Sequence, residues 1–342
     1  MKQKRATSQD VANLAGVSRT TVSLVLNRVE GANIPAETRQ KVYAAAKALN
    51  YVPNATAQAL ATQRSNAIGL IMTRSPHHIS SDAFLPQILG GLLEVIKKER
   101  FRLLIELVEE EHQEQVYSNL ARAKHIDAMI LLTPRLNDKG IERLEAVGVP
   151  TVLMGKTNAS TLYTVDVDNF SAAKKATNRL LSLGHRKIAC ISNAPPSYGA
   201  SLDRVLGYKN ALLDAGITPD DALIRYADFD PQSGYEAMHS LLASRQEFSA
   251  VFVASDNVAM GAKSAIRETG LYIPDDISLI GFDDIPWASY SDPPLTTVHL
   301  PARDLASKAC LLLLDLLKGK QVKNKNLTLE TKLMIRQSCK AI

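Results

Sequence analysis

Six pairs of polar residues stand where short apolar runs give out. They are Thr73 and Ser75, Thr133 and Arg135, Ser192 and Asn193, Asp228 and Asp230, Ser255 and Asp256, and Asp283 and Asp284. Hydroxyls, amides and carboxylates in such places bind ligands through hydrogen bonds. With few aromatics among them, they suit a polyhydroxylated or heterocyclic ligand better than a lipid. Nothing arms them for catalysis: there is no G-x-G-x-x-G, no G-x-x-x-x-G-K-[ST], no G-x-S-x-G and no H-E-x-x-H. His77 and His78 are adjacent in an expected loop without further ligand spacing. Cys190, Cys310 and Cys339 lie far apart, with no C-x-x-C, and read as free thiols in a reducing compartment. No enzyme, metal or cofactor is expected.

A second kind of chemistry lies in the charge. Of 342 residues, the first 64 carry nine Lys and Arg against three Asp and Glu, a net of +6. The remainder nets −1, within an overall +5. A small basic module joined to a large neutral one points to a polyanion as the partner of the N-terminal end. The basic start is followed by no apolar core of a secretory signal, and runs such as Ala309 to Leu314 are too short to span a bilayer. A cytoplasmic, nucleoid-associated protein is expected.

The elements that must position these groups follow from periodicity. Thr7-Ser8-Gln9-Asp10 predicts a capping box, and Val11, Leu14 and Ala15 give the helix behind it an apolar stripe. Gly16 supplies a turn, and Ser18 caps a second helix that buries Val22, Val25 and Leu26. A third helix, about Ala36 to Leu49, closes a small core with Val42, Ala45, Ala46 and Leu49. Two short helices around a glycine turn in a basic segment describe a helix-turn-helix, although a plain helical hairpin has the same pattern.

From Asn66 onward strand-like runs (Ala67–Met72, Leu103–Leu107, Ala128–Leu132, Thr151–Met154, Lys187–Ser192, Ala250–Ala254, Ile277–Phe282) alternate with amphipathic stretches. Those stretches include Leu92–Glu99, Ser171–Leu183, Gly207–Ala215 and Asn257–Glu268. Parallel sheets flanked by helices follow, and their number implies two doubly wound subdomains. In such sheets a ligand sits at the carboxyl ends of the strands, where the six polar pairs stand.

Asp10-Val11-Ala12, Ala15-Gly16-Val17-Ser18, Thr21-Val22-Ser23, Leu26-Asn27 and Leu49-Asn50-Tyr51-Val52-Pro53-Asn54 together resemble the headpiece of the LacI/GalR family of bacterial regulators. The likeness continues through Val165-Asp166-Val167-Asp168-Asn169, Leu183-Gly184-His185-Arg186, Ala254-Ser255-Asp256, Gly281-Phe282-Asp283-Asp284 and Pro293-Pro294-Leu295-Thr296. It implies an all-α helix-turn-helix headpiece over 1–53, a hinge helix and linker over 54–65, and a periplasmic-binding-protein-like α/β effector and dimerisation domain over 66–342.

The resemblance also implies roles. The second helix would enter the major groove with Arg19, Thr20, Ser23 and Leu24 outward, Arg19 reading guanine and Leu24 touching a thymine methyl. The family usually has arginine where Leu24 stands. Thr7, Ser18, Thr21, Asn27 and Asn54 would contact the DNA, Ser18 and Thr21 at phosphates; Thr21 would equally serve as a capping partner of Ser18. Ala57 and Leu60 fall in the hinge helix, Leu60 as a minor-groove wedge.

Asp168, Arg204, Ser255 and Asp283 fall where relatives hold an effector, with Phe84 packing on it and Thr73 at a strand end. Asp168 has a plain alternative as a helix cap. Trp287 would stack on a sugar ring or simply pack. The expectation is a dimeric repressor of sugar-utilisation genes on a near-palindromic operator, its effector a sugar. The alternative is a corepressor-dependent regulator taking a purine or another non-sugar metabolite.

Overall fold

A computed structural model describes residues 6–27, 31–54, 59, 64–74, 76–108, 113–122, 124–158, 161–244 and 246–342. The expected Ser75, Ala57 and Leu60, and with them the wedge, lie outside the described residues. The chain divides into two compact units, Met1–Asn66 and Ala67–Ile342.

In the first unit the expected signals become three helices: α1 (Ser8–Ala15), α2 (Arg19–Leu26) and α3 (Ala36–Ala48). The capping box closes, the Thr7 N–H donating to Asp10 Oδ2 at 2.8 Å and the Asp10 N–H to Thr7 Oγ1 at 3.3 Å. Gly16 adopts φ +66°, the left-handed conformation glycine takes without steric cost. Val11, Ala12, Val22, Val25, Val42, Ala45 and Ala46 form the core. Leu14 departs from expectation and is 57% exposed, because the short α1 turns only a narrow stripe inward.

The second unit is built on two six-stranded sheets. Its strands are β1 (Ala67–Met72), β2 (Arg102–Leu107), β3 (Ala128–Leu132), β4 (Thr151–Met154), β5 (Tyr163–Val167) and β6 (Ile188–Ser192). They continue as β7 (Ile224–Tyr226), β8 (Ala250–Val253), β9 (Ser278–Asp283), β10 (Thr296–His299), β11 (Asn326–Leu329) and β12 (Lys332–Met334). One sheet runs β11-β5-β4-β3-β1-β2, the other β12-β10-β9-β8-β6-β7. Every described pairing is parallel except β10 with β12. The central strands β1, β3, β6 and β9 are buried throughout, which is why they read as unbroken apolar runs.

The flanking helices are α4 (Pro76–Ser81), α5 (Leu85–Glu99), α6 (Gln113–Arg122), α7 (Lys139–Val147) and α8 (Asn169–Ser182). They are followed by α9 (Gly199–Asp214), α10 (Pro231–Ala243), α11 (Asp256–Glu268) and α12 (Ala302–Leu317). Gly234 and Gly261 let α10 and α11 touch backbone to backbone, since a Cβ at either would run into a main-chain carbonyl of the other helix.

The chain passes between the sheets three times. It leaves the first sheet after β5, returns after β10 to lay α12 against α5 and β4, and crosses again between β11 and β12. The first crossing runs from Asp166 and Val167 at the end of β5 to Asn169 at the start of α8, and the second carries Leu300. No described helix is long and apolar enough to cross a membrane.

Candidate functional site

Two surfaces carry the polar groups, one in each unit. In the first, α2 leaves Arg19, Thr20 and Ser23 exposed and Leu24 half-buried. Ser18 accepts the Thr21 N–H at 3.0 Å, and the two hydroxyls meet at 2.9 Å, so Thr21 does serve as the capping partner of Ser18. The Asn27 amide donates to Ser23 Oγ at 3.1 Å. Thr7 and Asn54 are exposed. Arg39 donates to the carbonyls of Ala32 and Ile34 and so ties the loop ahead of α3, where Pro35 offers no side-chain cap.

In the second unit a cavity of about 90 Å³ opens between the sheets. At ~10–15 Å³ for each water-sized position, that is room for a handful of polar groups. The first subdomain lines it with Arg74, Asp82, Phe84, Thr133, Met154 and Asp166, the second with Asn193, Arg204, Phe229, Ser255, Asn257 and Asp283. Asn169, the first residue of α8, lines it as well.

Arg204 is the buried centre of this set. Its Nε donates to Asn169 Oδ1 at 2.9 Å and its Nη1 to the Ala254 carbonyl at 2.6 Å, while Asp283 Oδ1 stands 3.6 Å away. The guanidinium lies 3.7 Å above the centre of the Phe282 ring. Burial lowers its pKa, and the neighbouring carboxylates, Asp283 foremost, oppose that. Arginine stays charged through such a shift.

Asp283 pays for its place twice. Burial raises its carboxyl to about 6, against the pull of Arg204. Its backbone has φ 110° and that of Asp284 φ 57°, conformations L-residues seldom adopt. Thr133 (φ 53°) and Phe229 (φ 65°) share this and also line the cavity. Such strain clusters where the surroundings dictate a functional geometry.

Across the cavity Arg74 binds Asp82 at 2.7 Å, both side chains 8% exposed, and lies 4.0 Å above the Phe229 ring. Asp166 is half-buried; desolvation raises its carboxyl to about 6, against the Val167 N–H and the charge of Arg204.

The two subdomains are also bridged directly. His77 Nε2 reaches Asp230 Oδ2 and His78 Nε2 reaches Asp228 Oδ2, both at 3.1 Å. The Tyr198 hydroxyl donates to the Thr73 carbonyl at 3.1 Å and the Leu136 N–H to Ser197 at 2.8 Å. His77 and His78 stand on α4 rather than in a loop.

The structure brings Phe84, Arg204, Ser255 and Asp283 together, along with Thr133 and Asn193 from the strand ends. Three expected residues stand elsewhere. Thr73 is buried beside the cavity, its hydroxyl turned to the Thr133 carbonyl at 3.4 Å. Asp168 caps α8, accepting the Ser171 N–H at 2.9 Å, and lines an adjoining depression with Asp203 and Asn326, which shares Asp166 and Asn169 with the cavity. Asp166, two residues earlier on β5, lines the cavity itself. Trp287 is 64% exposed, on the short turn Pro286–Ser289, and does not line the cavity.

Asp256 is wholly buried and structural, accepting the Thr297 hydroxyl at 2.6 Å and the Ile285 N–H at 3.0 Å. Burial and the charge of Asp283 raise its carboxyl well above the usual range. Sequence reasoning missed Arg74, Asp82, Asn169, Phe229 and Asn257. For Asp166 a signal existed, a charged residue inside the apolar Val165–Val167.

The description "Bacterial regulatory proteins, lacI family" matches residues 7–54, and "Periplasmic binding protein-like domain" matches residues 177–339. The HTH-type transcriptional regulator CelR of Thermobifida fusca is 33% identical over 340 residues, 98% of this chain and 99% of that protein. A solved complex of CelR with cellobiose covers 98% of this chain and 100% of that one, with a TM-score of 0.75 and 33% identity. The lac repressor dimer bound to operator and the anti-inducer ONPF has a TM-score of 0.85 at 31% identity, covering 99% of this chain and 100% of that one.

Proposed function

Since the chain belongs to the lacI family of bacterial regulatory proteins and is a transcriptional regulator of that kind, we propose that it represses sugar-utilisation genes. In this reading a homodimer holds a near-palindromic operator, and a small sugar-like effector in the cleft controls its affinity. Arg19, Thr20, Ser23 and Leu24 face base edges; Thr7, Ser18, Thr21, Asn27 and Asn54 hold the backbone; Ala57 and Leu60 belong to the hinge.

The observation that carries the effector reading is Arg204. A buried guanidinium held between Asn169, Ala254 and Asp283 presents fixed, charge-assisted partners for hydroxyls. Phe84, Ser255 and Asp283 complete the pocket with Arg74, Asp82 and Asp166. The relatives add support: CelR is solved with cellobiose, and the lac repressor with operator. Phe84 and Phe229, two aromatic rings lining one cavity, favour as a second reading a purine-like corepressor.

The effector would alter the pose of the subdomains, which the His77–Asp230 and His78–Asp228 pairs join, and thereby the operator affinity. Thermal unfolding of the full chain against sugars and purines separates the readings. A ligand at a hundred times its Kd stabilises by about 2.7 kcal/mol. A sugar that shifts the transition supports the first reading, a purine the second, and silence across the panel removes both.

A further inference from the structure

We infer that the end of the second unit opposite the cleft is a further DNA-binding surface, which holds backbone phosphates of the same duplex that the headpiece reads. The inference rests on the reading of residues 1–53 as a DNA-binding headpiece.

The topology of the first sheet defines this end. Strands β1 to β5 and β11 all run parallel, so their amino ends share one edge. Their carboxyl ends carry Thr133, Met154 and Asp166 to the cavity. The chain enters the unit at the amino edge, through Ala67 at the start of β1. The helices that lead into β2, β3 and β11, namely α5, α6 and α12, end there as well.

The connections at this edge are basic. Lys97, Lys98, Arg100 and Arg102 are exposed from the last turn of α5 to the start of β2. Arg122 and Lys124 are exposed ahead of β3. Lys318, Lys320, Lys323 and Lys325 are exposed ahead of β11. Against these ten cations the stretches 97–102, 122–127 and 315–325 hold Glu99, Asp127 and Asp315, a net of +7. The other connections at this edge, 143–150 and 161–162, add no net charge. Residues 65–342 net −1 in all, so the rest of them net −8. The near-neutrality of the unit is a sum over two faces, one of them as basic as the headpiece. A face of one sign draws a polyanion to itself.

Helix ends account for part of this, since a cation is favourable near a helix C-terminus. Arg102, Lys323 and Lys325 lie beyond any helix. Lys318 binds Glu99 at 3.1 Å and Lys320 binds Asp315 at 2.7 Å, but such exposed pairs are worth little and give way to phosphate. Arg100, Arg102 and Lys323 take part in no ion pair among the described residues. DNA is the polyanion that covalent reach favours. Thirteen residues separate Pro53 from Ala67, about 45 Å at full extension, so a duplex held by the headpiece stays near this edge.

The test is fluorescence anisotropy of the full chain on a duplex carrying its selected site, over a range of KCl concentrations. Each phosphate contact adds about 0.9 to the slope of log K against log[salt]. The combined variant Arg100→Gln, Arg102→Gln and Lys323→Gln should flatten that slope by about 2 to 3 and weaken binding at least about tenfold near ~0.1 M salt, with a cooperative thermal transition retained. A control that removes the same charge from the second subdomain, Lys187→Gln, Arg267→Gln and Lys332→Gln, should keep the wild-type slope.

A wild-type slope in the first variant overturns the inference, and so does an equal flattening in the control. If Arg19→Ala still weakens binding in that case, the headpiece reading stands and only the second surface falls. A wild-type chain that binds no duplex overturns both.

Discussion

The two units of this chain solve opposite problems. The headpiece is made by neighbours: its caps join residues three apart, its turn is one glycine, and its core is a few Val and Ala side chains. Its polar residues face outward and cost little to keep. The cleft gathers Arg74, Asp166, Arg204 and Asp283 from segments far apart in sequence, buries charge, and holds Asp283 at φ 110°. Recognition of a long polyanion needs only an exposed, correctly aimed face, while recognition of a small molecule needs polar groups held out of water before it arrives.

The sharpest way to break this contrast is Arg204→Ala. It strands Asp283 and the Asn169 and Ala254 acceptors, and losing one partner of a buried pair costs on the order of 3–5 kcal/mol. Urea unfolding of the full chain should show that loss in residues 67–342, with hydrogen exchange of α1–α3 unchanged. A loss below about 1 kcal/mol would mean that the buried set is no more critical than a surface pair.

The response to pH should differ in sign between the units. The Asp283 carboxyl, at 3.8 when unperturbed, is raised to about 6. Below pH 4 it is protonated in both the folded and unfolded chain; above 6 the fold bears a buried charge. Its contribution therefore falls by about 3 kcal/mol as the pH rises from 4 to 6. Glu37, lowered by its bond with Lys41, does the reverse, and the exposed pair loses its small benefit as the pH falls below the ordinary glutamate range. Stability curves of wild type and Asp283→Asn should converge toward pH 4 and separate toward pH 6. Curves that run parallel would remove the desolvation argument.

A smaller effect sharpens the local half of the contrast. Ser18→Ala removes the cap of α2 and should cost about 1 kcal/mol, read as faster hydrogen exchange in α2 with the cleft unaffected. Ser18→Asp should restore most of it.

Legibility followed the same division. The capping box, Gly16, the Ser18 cap and the Val/Ala core are rules of near neighbours, and the sequence displayed them. The exposed Leu14 escaped because a helix of eight residues shows too few turns to fix its inward stripe. The central strands of both sheets were legible as apolar runs. Tyr163–Val167 was not, since its alternation half-buries it, and with that strand Asp166, a carboxylate of the cavity lining, also escaped. Arg74 and Asp82 were invisible because their meaning comes from each other and from Phe229, more than a hundred residues downstream. Trp287 shows the converse: a side chain suited to a sugar ring, on an exposed turn that does not line the cavity.

The central claim is that occupancy of the cleft governs the hold of the headpiece on DNA. The direct measurement is fluorescence anisotropy of a DNA site selected by the full chain, titrated with and without the compound that raises its melting temperature. The account predicts a change in DNA affinity of about 5- to 150-fold for the wild type, and none for an Asp283→Asn chain that no longer binds the compound. A compound that binds and stabilises the wild type yet leaves its DNA affinity unchanged would contradict it.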